Sequence, residues 1–452
     1  MNQGIFKTYD IRGVYPRDID EKGVFKIAQA FARLLQPKKI ALGRDVRVSS
    51  EALWEAAKNG LIASGVEVVD IGRISTDMLY FAVSHYNLDG GMTITASHNP
   101  REYNGIKLVT KNSAPIFEGY MLPEIKSVAM DEDFEEMNVT GGKLSSEDLF
   151  FDYAEKVRSF GNLENLKSQK ILINANFGLA GQVFKKILED CPVEFVELNC
   201  EPDGTFPKGR PDPLVPENRE ETKEKIKESG AQIGFAWDAD ADRCFVYNEK
   251  GEDIEGCFMG ALLAKIMLEK STDDNKTVVY DPRIVWTVTE TIKNGGGIAI
   301  PSKVGHAVIK SKMREVNAFL AVESSGHYYF RDYYFCDNGM IPAIIILSYL
   351  NEKNITLSEA LAPIMENYFV SGEINFEAEN KDEIINKLQE KYSDGKFEEI
   401  DGISIEYSSF RFNVRKSNTE PLLRLNIEAR SQELLDEKKA ELVGLIEEWK
   451  KN

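Results

Sequence analysis

Lys39-Ile40-Ala41-Leu42-Gly43-Arg44-Asp45, then amphipathic spacing across residues 50–63, then Val66-Glu67-Val68-Val69-Asp70, read together as strand, helix and strand. The pattern returns in Ile171-Leu172-Ile173-Asn174, a helix across 182–189 and Val193-Glu194-Phe195-Val196. It returns again in Val278-Val279-Tyr280-Asp281, a helix across 285–292 and Ile298-Ala299-Ile300. Strands alternating with helices at this spacing predict βαβ units and largely parallel sheets. Three such units in separate regions predict three related α/β domains.

The end of the chain follows another rule. Residues 403–407, 410–414 and 423–429 alternate apolar and polar side chains, the period of half-buried strands, and a helical stretch across 433–449 follows. That predicts an α+β domain with an antiparallel sheet. At 452 residues the chain exceeds what one hydrophobic core usually supports. The expected domains are 1–147, 148–250, 251–367 and 368–452.

Composition narrows the class. Apolar content of 42% and charged content of 29% are those of a water-soluble globular protein. A net charge of −19 argues against general nucleic-acid or anionic-membrane binding, while leaving room for small anionic ligands held by local positive charge. Five cysteines without a CxxC pair read as free thiols in a reducing compartment. With no signal-like N-terminus and no apolar run of membrane-spanning length, a cytoplasmic protein is expected. No oligomeric state can be read from these features.

Trp237-Asp238-Ala239-Asp240-Ala241-Asp242-Arg243 carries the sharpest chemistry. Three carboxylates at alternate positions repel one another unless water or a cation screens them, and Mg2+ is a hard cation that accepts few protein oxygens. The run follows the apolar stretch Ala231–Ala236, so the aspartates are expected on a turn leaving a sheet, where α/β domains bind ligands. A solvated acidic turn is the competing reading. An EF-hand loop fails, because position six is Arg243 rather than Gly and Cys244–Tyr247 reads as a strand rather than a helix.

Four further loops stand out. Thr95-Ala96-Ser97-His98-Asn99-Pro100 follows an apolar run, placing Ser97 in a turn as a nucleophile, a phosphate carrier or a serine bonding its own backbone. The absence of G-x-S-x-G around it argues against a serine hydrolase. Asn104-Gly105-Ile106-Lys107 puts a lysine on or near the next strand. Glu323-Ser324-Ser325-Gly326-His327 offers donors and acceptors suited to a polyhydroxy ligand, or to its own turn. Arg415-Lys416-Ser417-Asn418-Thr419-Glu420-Pro421 joins two strands and can cradle a phosphate. Arg411, Asn413 and Arg415 share a strand face, whose bland reading is a solvent-facing side. Of four histidines, His98, His306 and His327 fall in candidate loops.

Taken in order with Tyr9-Asp10-Ile11-Arg12-Gly13, Pro202-Asp203-Gly204-Thr205-Phe206-Pro207 and Pro211-Asp212-Pro213, these motifs resemble the α-D-phosphohexomutase family, nearest its phosphomannomutase/phosphoglucomutase branch. The resemblance implies four domains around a central cleft, three alike and one distinct. It implies that Ser97 carries a phosphoryl group, with Asp238, Asp240 and Asp242 holding Mg2+ against it. Tyr9, Arg283, Glu323, Ser325 and His327 would bind the substrate, the last three through sugar hydroxyls. Arg415, Ser417, Asn418 and Thr419 would hold the non-reacting phosphate. Arg12, Lys107, Arg243, Arg283 and His306 would line the reaction centre, with Lys107 and His306 the candidates for proton transfer.

Two departures from the family pattern appear. Ala239 stands where the metal loop often has Gly, and Arg283 where some members have Lys, which changes donor geometry. The implied reaction interconverts hexose 1-phosphate and hexose 6-phosphate, of mannose, glucose or both, through a 1,6-bisphosphate that also serves as activator. Asn418 fits the hexose branch, where the phosphoglucosamine branch usually has Gly. A phosphoglucosamine mutase, a Mg2+-dependent sugar phosphatase and a non-catalytic sugar-phosphate sensor are the other classes to test.

Overall fold

A computed structural model describes residues 1–417 and 422–450. Two compact units make up the chain: Met1–Ile254 with His327–Leu357, and Glu255–Gly326 with the chain from Ser358 onward.

The first unit opens with a mixed sheet. Among the described residues its strand order is Ile11–Val14, Tyr103–Thr110, Gly90–Ile94, Lys39–Arg44, Glu67–Arg73 and Lys143–Ser146. The strands from Gly90–Ile94 to Lys143–Ser146 pair in parallel, as the repeat predicts. Tyr103–Thr110 turns back antiparallel between Gly90–Ile94 and Ile11–Val14, pairing Thr93 with Lys107 and Arg12 with Gly105. Gly105 is required there, since a Cβ would stand 2.1 Å from the Ile11 carbonyl oxygen. The predicted helix forms at Ser50–Ala63 and buries Leu53, Trp54, Ala57 and Leu61, one stripe of its face.

A second sheet in this unit runs Cys244–Tyr247, Ile233–Trp237, Gln169–Asn174 and Val193–Leu198. The last three are parallel, and the first is antiparallel, pairing Cys244 with Trp237. That hairpin makes the acidic run a tight connection between two buried strands. The short hairpin Tyr328–Phe330 with Cys336–Asp337 and the helix Met340–Lys353 also belong here.

In the second unit, Ile298–Pro301, Thr277–Tyr280 and Leu320–Val322 are parallel, with Thr277–Tyr280 in the middle. Its C-terminal sheet is antiparallel, with Phe410–Lys416 between Ile403–Glu406 and Leu422–Ala429. Ile374–Glu377 pairs with Leu422–Ala429, and helices Lys381–Lys391 and Gln432–Trp449 supply Ile384, Leu388, Leu442 and Ile446 to the core beneath it. Three α/β domains and an α+β domain are therefore the architecture.

Two bland readings are corrected. The acidic run is no solvated turn: Asp238, Asp240 and Asp242 are 0%, 1% and 1% exposed. Nor is the Arg411 face solvent-facing, since Arg411, Asn413 and Arg415 are all buried. Among the described residues no helix is long and apolar enough to cross a membrane. The cysteines are free thiols, four buried and Cys191 half-buried.

Candidate active site

In the first unit, Ser97 leaves its strand with a left-handed backbone, φ +50°, which costs an L-residue about 1–2 kcal/mol. Its amide donates to Thr95 Oγ1 at 3.0 Å. The loop is clamped by Arg47, a fully buried guanidinium that donates to the carbonyls of Ser97 (2.6 Å), Asn99 (2.7 Å), Pro100 (2.8 Å) and Tyr103 (3.1 Å). Asp45 balances its charge at 3.1 Å. Phe206 lies 4.9 Å beneath the guanidinium, and a Cβ on Gly204 would stand 2.0 Å from the Val46 carbonyl oxygen. The Pro202–Pro207 motif is thus the floor under this clamp.

So held, the Ser97 hydroxyl lies 3.3 Å from Asp238 Oδ2 and 3.1 Å from His98 Nδ1. Arg12 closes one side, donating to Asp10 Oδ2 at 2.8 Å and Asn99 Oδ1 at 2.6 Å. Arg243 closes another, with Nε 2.8 Å and Nη2 2.7 Å from Asp238 Oδ2, and Nη2 3.5 Å from Asp212 Oδ1. The Pro211–Pro213 motif therefore supplies the carboxylate behind Arg243.

The three aspartates differ in environment. Lys107 Nζ lies 2.6 Å from both Asp240 Oδ2 and Asp242 Oδ2. Thr76 Oγ1 donates to Asp240 Oδ2 at 2.6 Å, and His327 Nε2 lies 3.4 Å from Asp242 Oδ1. Ala241, at φ +54°, turns the chain between the two carboxylates. Ala239 is buried and leaves all three in place. Burial drives the Asp238 carboxyl up to about 7 despite Arg243. Burial acts the same way on Asp242, but Lys107 and His327 reverse it and hold that carboxyl well below the usual range. Burial disfavours the Lys107 ammonium, but Asp240 and Asp242 outweigh it and raise the pKa, keeping the charge. His98 goes the other way: burial, then Arg243, Arg12 and Arg210, push its pKa well down and leave a neutral ring.

This donor set suits a hard divalent cation. One oxygen from each of Asp238, Asp240 and Asp242 falls within a 4.8 Å span, and the buried Asp240 Oδ1 makes no hydrogen bond among the described residues. A buried carboxylate oxygen without a partner is costly unless a cation meets it.

A separate cluster forms in the second unit. Asp281 Oδ1 accepts from Arg283 Nε at 2.9 Å, and Asp281 Oδ2 accepts from Arg283 Nη2 at 3.0 Å and from the Ser324 amide at 2.6 Å. Arg283 Nη2 also reaches Glu323 Oε1 at 3.2 Å. This two-pronged fork is one that lysine cannot make, so the departure at 283 uses the guanidinium's geometry. Arg415 donates to Glu373 at 3.1 Å and lies 3.8 Å from Asp401. Arg411 is structural: its guanidinium donates to Glu428 at 2.7 Å and to the Arg283 and Pro282 carbonyls at 3.1 Å each. Glu428 in turn accepts the Val285 and Trp286 amides, at 2.8 and 2.9 Å.

The structure thus brings Ser97, Arg12, Lys107, Arg243, the three aspartates and His327 together in one unit. Arg283, Glu323 and Arg415 gather in the other. His306 begins the helix His306–Val316 after Gly305, whose φ is +124°. Tyr9 precedes the Ile11–Val14 strand; Ser325 and Ser417 lie in the expected loops. Asn418 and Thr419 lie outside the described residues. Arg47, Thr76 and Glu373 were not singled out from sequence, and Asn99, Asp212 and Asp281 were quoted only within longer motifs. Asn99 sat inside the quoted hexapeptide beside the noted His98, so adjacency was the available signal for it.

Family models covering phosphoglucomutase/phosphomannomutase α/β/α domains I, II and III match residues 3–136, 149–251 and 255–368. The model of the same family's C-terminal domain matches 373–445. A phosphomannomutase of Escherichia coli K12 is 39% identical, over 98% of this chain and 99% of the relative. The phosphohexose mutases of Xanthomonas campestris are 40% identical, over 99% of this chain and all of the relative. A crystal structure of a phosphoglucomutase/phosphomannomutase family protein from Burkholderia thailandensis superposes with a TM-score of 0.87 at 30% identity, covering 99% of this chain and 97% of that one. With all four domain models matched in order, the chain belongs to the phosphoglucomutase/phosphomannomutase family.

Proposed function

We propose that this chain interconverts hexose 1-phosphates and hexose 6-phosphates, of mannose and glucose, by way of a phosphoserine at Ser97 and a hexose 1,6-bisphosphate that also primes the enzyme. The observation that carries the reading is Ser97 itself: a strained, clamped hydroxyl 3.3 Å from a buried carboxylate and flanked by cationic side chains. A phosphoserine carries roughly −1.5 to −2 charge, and Arg12, Arg243 and Lys107 supply the positive field to hold it beside an anionic sugar.

In the first half-reaction the P–Oγ bond of phosphoserine breaks as a bond forms from phosphorus to O6 of a hexose 1-phosphate. The O6 proton passes to a base, for which His306 is proposed, and the departing Ser97 Oγ takes a proton relayed by His98 Nδ1, 3.1 Å away. The bisphosphate then presents its other end. Ser97 Oγ attacks the 1-phosphate, its proton returning to His98 Nδ1, and the P–O1 bond breaks as O1 takes back the proton held by His306, leaving hexose 6-phosphate. Lys107, held as an ammonium by two aspartates, acts as fixed charge rather than as base. Asp238, Asp240, Asp242 and Ser97 Oγ would hold Mg2+, which when bound neutralises phosphoryl oxygens. Arg283, Glu323, Ser325 and His327 are proposed to bind the sugar with Tyr9, and Arg415, Ser417, Asn418 and Thr419 its distal phosphate.

A cytoplasmic setting and domain borders at 147/148, 250/251 and 367/368 belong to the same reading. Coupled assays with mannose, glucose and glucosamine 1-phosphates test it. Turnover of the first two is expected. Turnover confined to the glucosamine compound, or phosphate release without isomerisation, would overturn it.

A further inference from the structure

Three guanidiniums in the second unit converge on one carboxylate. Arg415 Nη2 lies 3.1 Å from Glu373 Oε2, Arg424 Nη1 lies 3.4 Å from Oε1, and Arg283 Nη1 lies 4.0 Å from Oε2. The partners differ in freedom. Arg283 and Arg415 are 7% and 3% exposed, whereas the Glu373 side chain is 28% exposed. Gly372, one residue earlier, has φ +65°, a backbone state that suits glycine and lets the tether turn. Arg283 and Arg415 are therefore built in, Arg424 is 18% exposed, and the carboxylate is the member with most access to water.

Arg415 also needs an anion beside it. Burial and the like charge of Arg283 both disfavour its charged form, while Glu373 and Asp401 favour it. Asp401 is 3.8 Å away, beyond hydrogen-bond distance, so Glu373 makes the close contact. Arg283 has Asp281 and Glu323 as further partners.

We propose that Glu373 is an internal placeholder for a substrate phosphate, occupying the Arg415–Arg424 pair until the phosphate displaces it. The identity of the ligand rests on the sugar-phosphate reading above; the displacement itself does not. A carboxylate offers two oxygens and one charge, a phosphate three oxygens and close to two charges, so the phosphate is the stronger partner for paired guanidiniums. Displacement has a cost: apparent affinity falls by the fraction of molecules in which the placeholder is seated. In return the arginines stay charged and apart when the site is empty, and the carboxylate helps expel product.

The test is calorimetric titration of the full-length protein with inorganic phosphate, alongside hexose 1-phosphate kinetics. Glu373→Gln removes the charge at nearly constant shape and is expected to tighten phosphate binding about 5- to 10-fold, with a matching fall in KM. Glu373→Asp keeps the charge but shortens the reach, and is expected to tighten binding about 2- to 3-fold. Glu377→Gln, an exposed carboxylate at the far end of the strand that Glu373 precedes, is expected to change nothing. A merely structural Glu373 would give weaker phosphate binding when replaced. Unchanged or weaker binding in Glu373→Gln overturns the proposal, as does equal tightening in Glu377→Gln or wild-type binding in Glu373→Asp. Melting curves verify folding, and the Asp variant keeps the test decisive if the Gln variant is unstable. Should the wild type fail to interconvert hexose phosphates, the functional reading fails while the phosphate titration still reports on Glu373.

Discussion

Arg47 Nη2 donates to the carbonyl oxygen of Ser97 at 2.6 Å, across 50 residues of sequence. The contact ties the Ser97 loop to a buried cation whose partners are backbone carbonyls and Asp45. Loop geometry, and with it the direction of Ser97 Oγ, is therefore set from beneath.

Arg47→Lys replaces a planar fork by one ammonium and leaves carbonyls of the loop without donors, each costing about 1–3 kcal/mol when buried. We expect a folded protein, destabilised by about 2–4 kcal/mol, with kcat reduced at least 10-fold and KM little changed. Denaturant melts and steady-state kinetics check both parts.

Gly204→Ala places a methyl group where the Val46 carbonyl oxygen stands 2.0 Å away. Backbone must move, and the floor under Arg47 moves with it. The expected outcome is a loss of about 1–3 kcal/mol and a fall in activity parallel to that of Arg47→Lys. Gly209, with φ +93°, bears no such clash, since a Cβ there would meet nothing within 4 Å.

Chelation of divalent ions is expected to abolish turnover, with recovery on adding Mg2+. Asp240→Asn removes the charge of a carboxylate whose second oxygen lacks a hydrogen-bond partner among the described residues, and should lower kcat at least about 100-fold while raising the Mg2+ concentration needed. Full activity after exhaustive chelation would count against a metal-assisted reaction.

Arg411→Met leaves Glu428 buried without its cation, though still accepting two amides. The expected loss is about 3–5 kcal/mol, and pairing the change with Glu428→Gln should recover part of it. Equal losses in the single and double variants, read by denaturant unfolding, would show that the pair is not coupled.

Asp77 provides a pH test. Burial pushes its carboxyl up to about 7, against hydrogen bonds from Ser75 and Tyr153. Because the folded value lies above an unfolded value of about 3.9, its contribution to stability is fully present below pH ~4 and is lost as pH rises to about 7. Asp77→Asn does not titrate, so it should be more damaging at pH 5 than at pH 8, by on the order of 2 kcal/mol. Melting curves at the two pH values suffice.

Much of this architecture was legible in the sequence because its signals are local. The 39–70 repeat needed only period and spacing, and helix Ser50–Ala63 forms where that spacing places it. The acidic run and Ser97 announced themselves by composition. What escaped depends on contacts distant in sequence. Arg47 looked like any loop arginine, because its four carbonyl partners appear only once two strands lie side by side. Asp281 was read only as the end of a strand, and Glu373 is a single carboxylate just before one. For Arg411 the bland, solvent-facing reading stayed open in the sequence, since strand alternation distinguishes two faces but not which of them is covered.

The central claim is that Ser97 Oγ carries the transferred phosphoryl group. Intact mass and peptide mapping after exposure to labelled hexose 1,6-bisphosphate test it most directly. One phosphoryl group on Ser97 is expected, passing to unlabelled hexose 1-phosphate at the rate of turnover and absent from Ser97→Ala, which should be inactive. Mutase turnover by Ser97→Ala, or a wild-type enzyme that turns over with no label ever reaching Ser97, would contradict it.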